Sequence, residues 1–216
     1  MNKIKHVFWD WNGTLVNDAW LFVEIMNVEL KKRNLNSIDE LVYRNNFTFP
    51  VKKYYENLGF DFTKEDFRKV GQNFIKNFSK RCLEPSMYSD ALKVIKFFFR
   101  NEISQSILSA QENGLLNDTV KHYNINHYFK SIAGINDIYA ESKIKLAKKE
   151  RDKISFNDNE ILMIGDTSHD FEVSKHLNIN CILFSKGHYS KERLISNGCQ
   201  VVDKLSEIKN IVNVNI

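Results

Sequence analysis

The chain has 216 residues, which leads us to expect either one domain carrying an inserted lobe or two small domains. Hydrophobic residues make up 43% and charged residues 27%, a balance that excludes a disordered or fibrous chain. The net charge of +4 comes from 31 basic and 27 acidic residues spread without a dense basic tract, which argues against a nucleic-acid-binding arm, and no apolar run has the length of a membrane span. Cys82, Cys181 and Cys199 are odd in number and lack metal-ligand spacing. They read as reduced thiols, and with an N-terminus that leads straight into a strand they give the expectation of a cytoplasmic protein.

Residues 4–9 form a short apolar run rich in branched and aromatic side chains, the pattern of a buried strand ending at Asp10. Trp11-Asn12-Gly13-Thr14 then reads as a tight turn, whose converging N–H groups favour an anion beside Asp10. Residues 18–33 carry helically spaced apolar residues with Asp18 as N-cap, and 38–43, 50–58 and 63–81 continue as helices, Pro50 in the first turn of its helix and Gly59 just past its end. No strand signal interrupts 17–86. That stretch is assigned as an all-helical insertion, which leaves 1–16 and 87–216 as the core. Past Pro85 the pattern predicts a helix at 89–100, a strand at 103–108, a helix at 112–123 and a short strand at 128–132. A helix at 142–152, a strand at 160–164, a helix at 168–176, a strand at 180–184 and a last α/β pass over 191–211 follow. Such alternation predicts an α/β fold with a doubly wound parallel sheet, helices on both faces and ligands at the carboxyl ends of the strands.

Four positions carry chemistry. Asp10 sits where the first strand stops. Ser109 follows Ile107-Leu108 at the end of another, though a lone serine there usually caps a helix. Lys143, in Ala140-Glu141-Ser142-Lys143, stands near a helix start, but with Lys145, Lys148 and Lys149 it also reads as a solvated face. Gly165-Asp166-Thr167-Ser168-His169-Asp170 places two carboxylates one helical turn apart after a buried strand, a donor set that suits a hard divalent cation. Each alone has an ordinary structural explanation. In this order they resemble the motifs of the haloacid dehalogenase (HAD) phosphohydrolase superfamily, whose first motif is Asp-x-Asp-Gly-Thr-Leu. The resemblance covers nearly the whole chain outside the helical insertion.

It implies a Rossmann-like core with a small helical cap, as in the phosphoglycolate-phosphatase-like members, and Mg²⁺-dependent hydrolysis of a small phosphorylated metabolite. By resemblance Asp10 is the nucleophile that forms an aspartyl phosphate, while Trp11, Asn12, Ser109, Ala110 and Lys143 bind the phosphoryl group. Mg²⁺ would be held by Asp10, the backbone carbonyl of Asn12 and Asp166, with Asp170 acting directly or through water. The partner implied is a small soluble phosphate, such as phosphoglycolate, a sugar phosphate or an amino-alcohol phosphate, met by a monomer or homodimer without nucleic acid or membrane.

Asn12 departs from the pattern. Most phosphatases of the superfamily have there a second aspartate that protonates the leaving group and then activates water. An amide orients by hydrogen bonds but exchanges no proton near neutrality, and general acid-base help is worth about 10²–10⁴ in rate. Four readings stay open: a slow or selective phosphatase, with a good leaving group or with His169 handling the proton; a C–P bond hydrolase resembling phosphonoacetaldehyde hydrolase, with Lys52 or Lys53 forming a Schiff base; deamidation of the Asn12-Gly13 pair, which would put aspartate at position 12 in some molecules; and a phosphate-ligand-binding protein without turnover. Gly187-His188-Tyr189 receives no role.

Overall fold

In strand β1, His6–Trp9, every residue is buried, because both faces of the strand are covered: Val7 and Trp9 join one apolar cluster and Phe8 the other. The computed structural model describes residues 3–135 and 141–212, with backbone alone for Glu141 and Ser142. Around β1 it builds a six-stranded sheet in the order β3-β2-β1-β4-β5-β6, with every pair parallel. The strands are β2 Ser104–Glu112, β3 Ser131–Ile135, β4 Ile161–Gly165, β5 Asn180–Phe184 and β6 Gln200–Val202. The chain winds outward from β1 through β2 to β3, then returns to β4 on the other side and continues to β6. The reversal falls between β1 and β4, where open α/β sheets leave a crevice at their carboxyl ends.

Four helices separate β1 from the rest of the sheet: α1 Ala19–Lys31, α2 Glu40–Asn46, α3 Val51–Asn57 and α4 Phe67–Arg81. They form the cap. Six more flank the sheet: α5 Ala91–Arg100, α6 Asn113–His122, α7 Glu141–Arg151, α8 Ser168–Leu177, α9 Lys191–Ile195 and α10 Ile208–Ile211. Residues of α5, α6 and α10 share the cluster around Trp9, whereas α7 and α8 pack against Phe8 and Met163 on the opposite face. An aromatic cluster centred on Tyr43, Tyr54 and Phe60 holds the cap together and reaches Leu183, Tyr189 and Leu194 of the core. Cap and core therefore share buried apolar surface. No helix among the described residues is long and apolar enough to cross a membrane.

The structure shifts several expected boundaries. β2 runs through Ser109 to Glu112, with a register irregularity between Leu108 and Glu112, so Ser109 lies within a bulged strand instead of after its end. Residues Asn126–Tyr128 form a 3₁₀ turn and β3 begins only at Ser131; the aromatic residues that mimic a strand here pack on the core from a turn. Helix α4 starts after Asp66, whose carboxylate caps the Arg68 N–H, because Asp61 closes a separate turn on Thr63. Pro50 is the N-cap of α3 and does not lie in its first turn. Ala140, part of the motif around Lys143, lies outside the described residues.

Candidate active site

Trp9 pairs with Ile107 of β2 and Ile164 of β4, and the Asp10 N–H donates to the Ile164 carbonyl at 2.8 Å. The end of β1 is thereby fixed to the end of β4, and Asp10 emerges beside Asp166. Asp10, Asp166 and Asp170 are all buried, and their oxygens lie within 4.8 Å of one another. Lys143 Nζ donates to Asp10 Oδ1 at 2.5 Å and to Asp170 Oδ1 at 2.7 Å, although Lys143 itself is 3% exposed. The solvated face proposed for the lysines of α7 thus does not include Lys143. Removing one partner from such a buried ionic cluster leaves an uncompensated charge.

Asp170 is held on every side. Its Oδ2 accepts the Thr167 hydroxyl at 2.7 Å, the Thr167 N–H at 3.0 Å and the Asp166 N–H at 3.2 Å at the start of α8. Asp166 accepts the Thr14 hydroxyl at 2.8 Å on Oδ1 and the His188 N–H at 2.6 Å on Oδ2. Glycines make this closeness possible: a Cβ at Gly165 would lie 2.2 Å from the Asp170 carboxyl carbon, and one at Gly187 would lie 2.2 Å from Asp166 Oδ2. Burial opposes the charge on Asp170, but Lys143 and Thr167 outweigh it and hold this carboxyl below its usual range. Burial raises Asp166 to about 6, with His188 opposing. Burial also raises Asp10 well above the usual carboxylate range, against the pull of Lys143 and with the help of Asp170 and Asp166. Burial lowers the Lys143 ammonium, yet the two carboxylates more than offset it and the net direction is upward.

Three carboxylates thus face one ammonium, leaving an excess of negative charge and hard oxygen donors that fit a divalent cation. Lys143 and Thr167 engage both oxygens of Asp170, and Thr14 and the His188 N–H engage both of Asp166, whereas Asp10 is engaged through Oδ1 alone among the described residues.

The turn after β1 differs from the sequence expectation in its wiring. Gly13, at φ +73°, donates its N–H to the Val16 carbonyl and to Asp18 Oδ1, both at 2.9 Å, and the Thr14 N–H donates to the Trp11 carbonyl at 3.3 Å. Two of the four turn amides are therefore used inside the loop. Asp18, expected to cap α1, makes no side-chain bond to that helix; its Oδ2 accepts from Asn12 Nδ2 at 2.6 Å. Trp11 points its ring into the core against Tyr123. Ser109 is 1% exposed, and its Oγ accepts the Gln111 N–H at 3.1 Å.

Between cap and core lies a cavity of about 340 Å³, whose wall includes Asp10, Asn12, Ser109, Ala110 and Lys143. Lys52 and Lys53 do not line it; they are exposed on α3, and Lys52 lies 3.8 Å from Glu56. No lysine of the cap reaches the wall among the described residues, which removes the Schiff-base candidates. His169 is on the wall with its ring against Phe49 and Nδ1 3.3 Å from Glu172 Oε2.

His188 is the residue sequence reasoning passed over. Its Nδ1 is 2.8 Å from the Tyr43 hydroxyl of α2, Nε2 is 3.3 Å from Asp18 Oδ1, and the ring lines the cavity. Its loop also anchors the cap: the Arg44 carbonyl near the end of α2 accepts the Ser190 N–H at 3.2 Å and Arg193 Nη1 at 2.8 Å. The available signal was topological, since this loop follows β5 at the same sheet edge as Asp10 and Asp166.

The model of the haloacid dehalogenase-like hydrolase family matches residues 7–184, so this chain is a member of that family. Comparison with curated proteins returns no match. Among solved structures, a haloacid dehalogenase-like family hydrolase from Streptococcus pneumoniae is 17% identical with a TM-score of 0.84, the match covering 99% of this chain and 100% of that one. A predicted phosphoglycolate phosphatase from Haemophilus somnus is 16% identical with a TM-score of 0.76, at 99% and 100% coverage. The Mycobacterium tuberculosis protein named Protein Tyrosine Kinase A is 16% identical with a TM-score of 0.82, again at 99% and 100%. At these identities the likeness is one of fold, and the names on it already span different reactions.

Proposed function

We propose that this protein hydrolyses a phosphate monoester through an aspartyl phosphate on Asp10, with Mg²⁺ as cofactor. The observation that carries the reading is the convergence of Asp10, Lys143, Asp166 and Asp170 on one buried point at the crevice between β1 and β4. Asp10, Asp166 and the Asn12 carbonyl are the candidate ligands, with Asp170 acting through water or by fixing Lys143. A bound Mg²⁺ supplies charge neutralisation on the phosphoryl oxygens. Asp10 attacks phosphorus with a carboxylate oxygen as the ester oxygen departs with its electron pair. Lys143 offsets the negative charge that spreads over the equatorial oxygens, and the Trp11 and Asn12 amides with Ser109 orient them. Water then attacks the phosphorus of the acyl phosphate, releasing inorganic phosphate and restoring Asp10. The cap, docked on the His188 loop, keeps bulk water from the first step.

The test is steady-state hydrolysis of phenyl phosphate with Mg²⁺ by the parent protein and Asp10→Asn. We expect measurable turnover that falls at least about 10³-fold in the variant. Turnover that survives the substitution would remove Asp10 as nucleophile, and Mg²⁺-dependent phosphate binding without turnover would favour the ligand-binding reading.

A further inference from the structure

We infer that the substrate is an aryl phosphate, a phosphorylated phenol whose ring is held by the cap; the inference rests on the phosphatase reading above. The cavity has two unlike sides. The core turns Asp10, Lys143 and Ser109 toward it, whereas the side chains contributed by the cap are rings or aliphatic groups, Arg68 being the one charged exception. Phe22, Phe47 and Phe74 are among them; besides Arg68 the polar groups on this side are the hydroxyls of Tyr43, Tyr54 and Tyr55, of which Tyr43 is already paired with His188. A polyhydroxylated sugar would therefore meet mostly apolar surface, whereas a ring with one polar substituent could use the Tyr54 hydroxyl, which is unpartnered among the described residues. Rings pack well against such a wall, edge to face or offset.

Size agrees. A cavity of about 150 Å³ already holds benzene, so about 340 Å³ leaves room for a phosphate with one or two fused rings. Gly71 sits in α4 on this wall, and a Cβ placed on it meets nothing within 4 Å. Packing therefore does not require glycine there. Its missing side chain leaves volume to the cavity.

Reactivity points the same way. With Asn12 at the position of the usual acid, no side chain at that point donates a proton to the departing oxygen. A phenolate, whose conjugate acid has a pKa of about 10, tolerates this; an alkoxide, about as basic as hydroxide at roughly 16, does not. In the proposed step the Asp10 oxygen–phosphorus bond forms, the phosphorus–aryl oxygen bond breaks, and the phenolate takes its proton from water.

The experiment compares kcat/KM for 2-naphthyl, phenyl, 4-carboxyphenyl, octyl and glycerol phosphates, alongside calorimetric binding of 2-naphthylmethylphosphonate and methylphosphonate, all with Mg²⁺. We expect 2-naphthyl phosphate to exceed phenyl phosphate, and phenyl to exceed 4-carboxyphenyl phosphate, each by about tenfold or more, with both alkyl esters lower still. The naphthyl phosphonate should bind at least about tenfold more tightly than the methyl one, and Gly71→Leu should abolish the preference for naphthyl over phenyl. Asp10-dependent turnover that favours glycerol phosphate, or is blind to the ring, overturns the aryl assignment and leaves the phosphatase reading in place. A preference for octyl phosphate assigns the cavity to alkyl chains and likewise overturns it. Absence of turnover with every ester defeats the phosphatase reading; the ring-binding cavity then stands if the naphthyl phosphonate is preferred, and falls if it is not.

Discussion

Asn12 is more than an aspartate replaced. Its amide donates to the Asp18 carboxylate, which also takes the Gly13 N–H, so the side chain is part of the scaffold of the loop. Asn12→Asp would put two carboxylates at hydrogen-bond distance without a donor between them. We expect that single change to cost about 1–3 kcal/mol of stability in urea titrations, and Asn12→Asp combined with Asp18→Asn to recover most of it. Additive losses would show that the two residues are not coupled. His6 offers a second test at this scale. It is fully buried in β1 with Nδ1 2.6 Å from Ser104 Oγ, and burial, with Lys130 and Arg151, lowers its pKa from 6.5 to about 3. Between those values the unfolded chain binds a proton that the folded one does not, so His6 erodes stability as pH falls from 6.5 toward 3, by up to about 1.4 kcal/mol per pH unit. His6→Gln should flatten that part of the pH profile of unfolding free energy; an unchanged slope would assign it to other groups.

At the level of elements, the sequence was most legible where a strand delivers a residue. Asp10 and Asp166 end short buried runs, and parallel pairing through Trp9 and Ile164 brings the two ends together almost automatically. Lys143 needed more than periodicity, because a helix that carries four lysines offers no local sign of which one turns inward. Asp18 and His188 were missed because their roles arise only when the loops after β1 and β5 fold back on each other. The cap was legible as helical but not as a container: a phenylalanine facing a cavity has the same sequence pattern as one facing packed core. Helix α4 illustrates the difference, since Gly71 interrupts a good helical sequence and no neighbour crowds the position its side chain would occupy. Gly71→Ala should therefore raise stability by about 0.5–1 kcal/mol in chemical denaturation. A loss instead would mean that glycine is needed there for a reason the packing does not reveal.

Across the whole molecule, cap and core are joined through the shared aromatic cluster and the contacts of Tyr43 with His188 and of Arg44 with Ser190 and Arg193. The wiring of the turn after β1 gives the opening of this structure a chemical readout. Asn-Gly pairs age readily, because the glycine nitrogen attacks the asparagine side chain and leaves aspartate or isoaspartate behind. In the folded protein the Gly13 N–H is held by the Val16 carbonyl and Asp18 Oδ1, so the attacking nitrogen is engaged until the loop opens. Peptide mapping after long incubation should find isoaspartate at position 12 accumulating faster in urea than in native buffer, in proportion to the unfolded population; equal rates would mean that the fold offers no protection. The fraction of molecules converted at Asn12 would then serve as a slow clock, recording in covalent form how long the population has spent open.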